Sequence, residues 1–195
     1  NTIIEGNTMG TTYSITVENF MDDDYVFKTQ IDSILAIINN QFSTYVETSE
    51  INTINNRYSG KIDLSDEFSY VLKKALYYCN LSNGSYDITI GPLINLWGFK
   101  NISNQKIPNS YDIDNALINV GYKKIIIINI FLISKGNYQL DLNSIAKGYA
   151  VDIISEYILS EGYSNYLVEI GGEIRCSNEK DDGWYIGIQN PLNNS

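Results

Sequence analysis

The chain contains no histidine. That removes the commonest general acid–base side chain and a common metal ligand, so any metal must be held by oxygens, which favours a hard ion such as Mg²⁺. Cysteine is scarce as well: Cys79 and Cys176 lie far apart, in no metal-ligand spacing, and dictate neither a disulfide framework nor a zinc site. Basic residues are few. With 13 Lys and Arg against 23 Asp and Glu the formal net charge is −10, and no basic cluster interrupts the acidity. A nucleic-acid groove and an anionic membrane surface both need clustered Lys and Arg, so both are disfavoured as partners. No apolar run is long enough to cross a bilayer; the most apolar, Ile125 to Ile133, is broken by Asn129.

What is present suits a single domain of ordinary size, since 195 residues with 44% hydrophobic content can bury a sizeable core. The chain opens at Asn1 without Met, which fits an export segment removed upstream.

Periodicity divides the chain into strands and helices. Thr11 to Val17 alternates, with Tyr13, Ile15 and Val17 on one face, and reads as a half-buried strand after the polar, flexible entry Met9-Gly10. Asp22, Asp23 and Asp24 open a helix whose apolar stripe is Phe27, Ile31, Ile34, Leu35 and Ile38. That period stops at Phe42, so Ser43-Thr44-Tyr45 reads as a loop, or a loop with one short turn. Tyr45 either covers the end of that helix or stacks on a flat ligand. Ser65 caps a second helix burying Phe68, Val71, Leu72, Ala75, Leu76 and Cys79, and Asn83-Gly84 ends it.

The run Ser85 to Phe99 mixes small residues, aromatics and one acid around Gly91-Pro92, and reads as a shaped loop because a core strand tolerates neither residue. Tyr86, Trp97 and Phe99 form either a floor under a planar ligand or a satellite core. A short helix over 112–120 closes at Gly121. Two or three strands follow to Leu142, turning at Ser134 to Asn137. Ser144 to Ser160 is helical, with Ile145, Tyr149, Ile153, Tyr157 and Ile158 on its buried face. Tyr166–Ile170 and Ile174–Cys176 are strands around Gly171-Gly172, a pair suited to a bulge or a ligand. Trp184 to Ile188 is the last strand expected.

The organising stretch is Leu140 to Ala150, where an apolar alternation meets Asp141, then Asn143-Ser144, then an amphipathic run carrying Lys147 and Gly148. A strand delivered to a helix start exposes N–H groups and a favourable dipole, which suits a phosphate; ordinary capping gives the same letters.

Six blocks together resemble the ApbE family of bacterial FAD:protein FMN transferases. They are Met9-Gly10-Thr11-Thr12-Tyr13, Phe42-Ser43-Thr44-Tyr45, Tyr86 to Leu93, Leu96-Trp97-Gly98-Phe99, Leu140 to Ala150 and Glu169 to Glu173. The resemblance implies an α+β fold, a mixed, largely antiparallel β-sheet with packed amphipathic helices, with residues 1–195 forming the N-terminal and central portion of a flavin transferase domain. It implies an enzyme that splits FAD, attaches FMN to a Thr or Ser hydroxyl of a partner flavoprotein and releases AMP. Position by position, Met9, Tyr45, Ser85, Tyr86, Asp87, Asp141 and Lys147 match FAD contacts, and the backbone carbonyl of Ser144 matches a Mg²⁺ ligand. It assigns no catalytic residue here.

Implied partners are FMN-binding subunits of sodium-pumping quinone reductases and Rnf-type complexes. The implied location is outside the cytoplasmic membrane, with a lipid anchor as the only membrane tie. Family members continue beyond Trp184–Ile188 into a metal-binding Asp and Thr cluster and a histidine-bearing segment, so this stretch alone is expected to be inactive. An FAD pyrophosphatase and a non-catalytic FAD-binding module are the alternative readings.

Overall fold

Tyr13, Ile15 and Val17 do line one buried face of a strand, β2 (Thr11–Val17), as their alternation requires. The computed structural model describes residues 1–57, 59–99, 107–135, 138–177 and 183–188. The chain forms two compact units, one of residues 1–35 and 150–195 and the other of residues 36–149.

In the first unit, a four-stranded antiparallel sheet has the order β1-β2-β6-β7, with β1 (Thr2–Thr8), β6 (Tyr166–Ile170) and β7 (Glu173–Ser177). The register sets Tyr13 opposite Ile170, Ile15 opposite Val168 and Val17 opposite Tyr166, so all six share the buried face. Strand β1 carries no clean apolar alternation and so is not expected from the sequence; pairing to β2 along its whole length holds it.

Helix α1 (Asp24–Phe42) starts at Asp23, whose Oδ1 accepts the Tyr25 and Val26 amides at 2.9 and 3.0 Å. Tyr13 Oη donates to Asp32 at 2.6 Å and ties α1 to β2. Arg175 of β7 bridges Asp152 and Glu156 of α6 (Asn143–Ser160). The buried residues of α6 are Ala146, Ala150, Val151, Ile154, Ser155 and Ile158. Of the expected face only Ile158 is buried, because apolar residues surround this helix and period alone does not choose among its sides.

The second unit holds α2 (Glu50–Asn55), α3 (Asp66–Leu81), α4 (Gly91–Leu96), α5 (Ser110–Leu117) and a three-stranded antiparallel sheet of order β3-β5-β4. Its strands are β3 (Ser59–Asp63), β4 (Ile125–Ile128) and β5 (Phe131–Lys135), the last two turning at Asn129 and Ile130. Ser65 caps α3 as expected, and the Glu50 carboxylate receives both its amide and its hydroxyl at 2.7 Å. Phe42 stacks on Phe68 with ring centroids 5.3 Å apart, which explains why the apolar stripe of α1 runs to Phe42.

Four further expectations are corrected. Gly91-Pro92 opens a helix, because proline at the first turn forfeits no hydrogen bond there. Ser134 and Lys135 continue β5 instead of turning, and Gly136 and Asn137 lie outside the described residues. Neither Leu140–Leu142 nor Trp184–Ile188 is a strand: the former is met by side chains, and among the described residues the latter has no pairing strand.

Candidate functional site

In the second unit the site residues converge through side-chain hydrogen bonds to backbone. The turn after α1 is held from several directions. Ser43 Oγ accepts the Tyr45 and Val46 amides, Ser49 Oγ donates to Ser43 O at 2.7 Å, and Asn52 Nδ2 donates to Thr44 O and Val46 O at 3.2 and 2.8 Å. The Tyr45 ring is nevertheless 73% exposed, so it does not cover the end of α1. A rigid base with an uncovered aromatic is the geometry of a stacking platform. Its chain neighbour Thr44, 8% exposed, has an Oγ1 with no hydrogen-bond partner among the described residues.

Ser85, Tyr86 and Asp87 follow α3. Ser85 is exposed in the turn. Tyr86 is half-buried, and its hydroxyl lies 3.0 Å from Ser144 Oγ at the start of α6. Burial first, then the nearby Cys79, Asp141 and Asp87, push the Tyr86 phenol above its ordinary value, against the lowering effect of Ser144. It is therefore a neutral hydrogen-bonding group at physiological pH, not a phenolate base. Asp87 turns inward. Its Oδ1 accepts the Thr89 amide and hydroxyl at 2.8 and 2.6 Å, its Oδ2 accepts the Tyr122 amide at 2.9 Å, and Thr89 Oγ1 accepts the Gly121 amide at 2.7 Å.

Asp141 is 8% exposed, and its amide donates to Ile88 O at 2.8 Å. Its carboxylate accepts the amide and the side-chain Nδ2 of Asn143, each at 3.0 Å. The Ile145 and Ala146 amides both go to Leu142 O. The start of α6 is thus complemented largely by the chain's own carboxylate and carbonyl, and the phosphate seat expected there is in great part filled. Ser144 and Lys147, three residues apart, share one side of α6.

Asn55 links the two groups: its Nδ2 donates to Leu140 O at 2.9 Å and its Oδ1 accepts the Leu140 amide at 2.7 Å. Sequence reading missed Asn52 and Asn55. The signal was the pattern Ile51-Asn52 and Ile54-Asn55, an amide beside each buried isoleucine of a short helix.

In the first unit, Met9 sits with Gly10 in the two-residue turn between β1 and β2, at φ +50° and +74°. Gly171 and Gly172 form the corresponding turn between β6 and β7, and the Gly171 amide reaches Thr12 O at 3.1 Å. Two of the six blocks therefore meet at one end of this sheet. A methionine at positive φ pays for a conformation that Asn or Gly adopts readily, a sign of a side chain chosen for something other than the turn.

Among the described residues no group of three or more Asp, Glu, Cys or His is placed to hold a metal ion. The carboxylates of Asp87 and Asp141 already serve the backbone, so these residues do not make a Mg²⁺ site by themselves.

The model of the ApbE family matches residues 9–195. The FAD:protein FMN transferase of Vibrio cholerae is 37% identical over 196 residues, covering 96% of this chain and 58% of the relative. That of Haemophilus influenzae is 34% identical, with the same coverage of 96% and 58%. The structure of flavin transferase ApbE from Vibrio cholerae superposes with a TM-score of 0.90 at 35% identity, covering 97% of this chain and 64% of that one. The ApbE protein of Thermotoga maritima gives a TM-score of 0.90 at 29% identity over 100% of this chain and 65% of its own. The chain spans 57–58% of the length of these curated relatives and others from enterobacteria.

Proposed function

The chain belongs to the ApbE family, and on that premise we propose that it is part of an enzyme that transfers FMN from FAD to a Thr or Ser hydroxyl of an acceptor flavoprotein and releases AMP. The observation that carries this reading is the exposed Tyr45 ring on a turn fastened, through α2, to the segment that delivers Asp141 and the start of α6.

Tyr45 stacks on a flat ring of FAD, and the unspent Thr44 hydroxyl lies beside it. Tyr86, kept neutral, donates a hydrogen bond. Asp141 accepts hydrogen bonds from sugar hydroxyls or a ring N–H, since a buried carboxylate repels phosphate; Lys147 supplies the positive charge for the pyrophosphate. Ser85 contributes at the open side of the same loop. Asp87 acts by fixing that loop. Met9, in the other unit, is kept as an FAD contact on the resemblance. Cleavage of a pyrophosphate asks little covalent chemistry of the protein and much positioning of the phosphoryl group against the incoming hydroxyl.

The Mg²⁺ requirement also enters from the resemblance, with the Ser144 carbonyl as its one contribution from these residues. The proposed location is outside the cytoplasmic membrane. Cell fractionation checks it.

The test uses the complete protein with FAD, Mg²⁺ and an FMN-binding acceptor domain. Flavin fluorescence on the denatured acceptor band, lost when EDTA is added, is the expected result. Free FMN and AMP without labelled acceptor replaces the reading with a pyrophosphatase, and FAD binding without turnover replaces it with a binding module.

A further inference from the structure

We infer that Asn55 is a positioning residue that sets the register between the Tyr45 platform and the Asp141 end of the site, and so matches the site to a tethered dinucleotide in preference to its separate halves. The inference rests on the FAD-using reading above and names a determinant of how that substrate is held.

The segment around Leu140 is not part of a sheet. Among the described residues it has one isolated bridge, Ile90 with Gln139, with the Gly91 amide on Gln139 O at 3.1 Å, and a bond from the Asp141 amide to Ile88 O. On its other side the backbone of Leu140 is met in both directions by one side chain, Asn55, 85 residues away in the chain. A primary amide offers a donor and an acceptor side by side, the complement of a residue's own C=O and N–H. Aspartate sets an oxygen against the Leu140 carbonyl, and alanine leaves two partly buried backbone groups unpaired.

One helical turn earlier on the same six-residue helix, Asn52 brackets Tyr45 by holding the carbonyls on either side of it, Thr44 O and Val46 O. The spacing between the two amides is fixed by helix geometry at roughly 4.5 Å of rise. Helix α2 is itself anchored by buried Ile51 and Ile54, by the Ser49 cap and by Glu50 on Ser65. It therefore works as a spacer between one loop that carries an aromatic platform and another that carries a buried acid.

A ligand with two recognition groups on one tether gains from binding both only when the two subsites stand at the tether's span. Loosening the spacer penalises the tethered molecule and spares each half. A residue that served only folding would change all three ligands alike.

The experiment measures the affinity of the full chain and its Asn55→Ala and Asn55→Asp variants for FAD, FMN and AMP, with the near-ultraviolet circular dichroism of each variant recorded alongside. The expected result for Asn55→Ala is FAD affinity weakened roughly tenfold and FMN and AMP each changed by less than about twofold. Asn55→Asp, which keeps the bond from the Leu140 amide, falls between. In the transfer assay the KM for FAD rises by the same factor as its dissociation constant. If Asn55→Ala does not fold, Asn52→Ala, which frees only the Tyr45 turn, carries the same ratio test. Equal weakening of FAD, FMN and AMP, or no change in any of them, overturns the inference and leaves the transferase reading standing. A parent protein that binds none of the three overturns both.

Discussion

In the four-stranded sheet, backbones satisfy one another: each residue of β2 from Tyr13 to Val17 faces one of β6, and the side chains are left to alternate between core and solvent. In the segments 43–46, 85–91 and 138–142 the backbone is met in large part by the side chains of Ser43, Asn52, Asn55, Ser82 and Asp87. The first arrangement derives its strength from buried apolar area. The second buries Ile88, Leu140 and Leu142 as well and adds placement, because each side-chain bond fixes one backbone group at one distance. The residues matched to FAD in the second unit stand on or beside these polar-held segments, where a loop can be specified without being part of a ladder.

The largest expected effect strikes the sheet. Ile15 is fully buried opposite Val168, so Ile15→Ala removes apolar contacts and leaves a cavity worth about 3 kcal/mol. A drop of roughly 6–12 °C in melting temperature follows, with FAD affinity below the transition unchanged. A loss of FAD affinity in the folded variant breaks the separation between the sheet and the polar-held loops.

Asp87→Asn makes the converse change. One oxygen becomes an NH₂ that must face either the Tyr122 amide or the pair of donors from Thr89, at a cost of about 2 kcal/mol. The cost falls locally. Amide exchange at Thr89, Gly121 and Tyr122 accelerates while β2 and β6 keep their protection, and FAD binding weakens through the loosened loop. Uniform acceleration through both units would show the loop to be no more than part of a single cooperative core.

The same contrast governs what could be read from the letters. Alternation at Tyr13, Ile15 and Val17 and the stripe from Phe27 to Ile38 announced β2 and α1, because burial writes a period into sequence. The caps at Ser65 and Asp23 were legible for the same local reason. Thr89, Asn52 and Asn55 write no period: their partners lie 32, 6 to 8 and 85 residues away, and nothing in a short helix such as Glu50–Asn55 announces which amide meets which carbonyl. The six blocks pointed to the family and to candidate residues, without the side chains that hold the candidate segments in place. They gave no sign that the Asp141 carboxylate also accepts the amide and the side chain of Asn143.

Met9 sharpens the comparison from inside the sheet. It occupies a turn position at φ +50° that Asn tolerates well, so Met9→Asn stabilises the β1–β2 hairpin by roughly 1 kcal/mol. A higher melting temperature joined to weaker FAD binding is the expected pair of outcomes. A gain in stability with unaltered binding removes Met9 from the site.

The smallest effect separates the Cys79 thiol from the Tyr13–Lys28 pair by pH. Burial holds the Cys79 thiol of the second unit above its ordinary 9.0, and burial followed by the Asp32 hydrogen bond holds the Tyr13 phenol of the first unit above 10.0. Lys28, hydrogen-bonded to Tyr13 at 2.8 Å, is raised above 10.5, chiefly by that bond. For each group the native state keeps its proton to higher pH than the unfolded chain does, so stability is fully present below the unfolded value and lost as pH rises toward the native one. The thiol begins this loss near pH 9, and the Tyr13–Lys28 pair only above 10. Denaturant melts at pH 8, 9.5 and 10.5 should therefore show a first decline that Cys79→Ala abolishes, measured against that variant's own baseline at pH 8, and a second that Tyr13→Phe reduces. A Cys79→Ala protein that declines as steeply as the parent between pH 8 and 9.5 would place the early titration elsewhere.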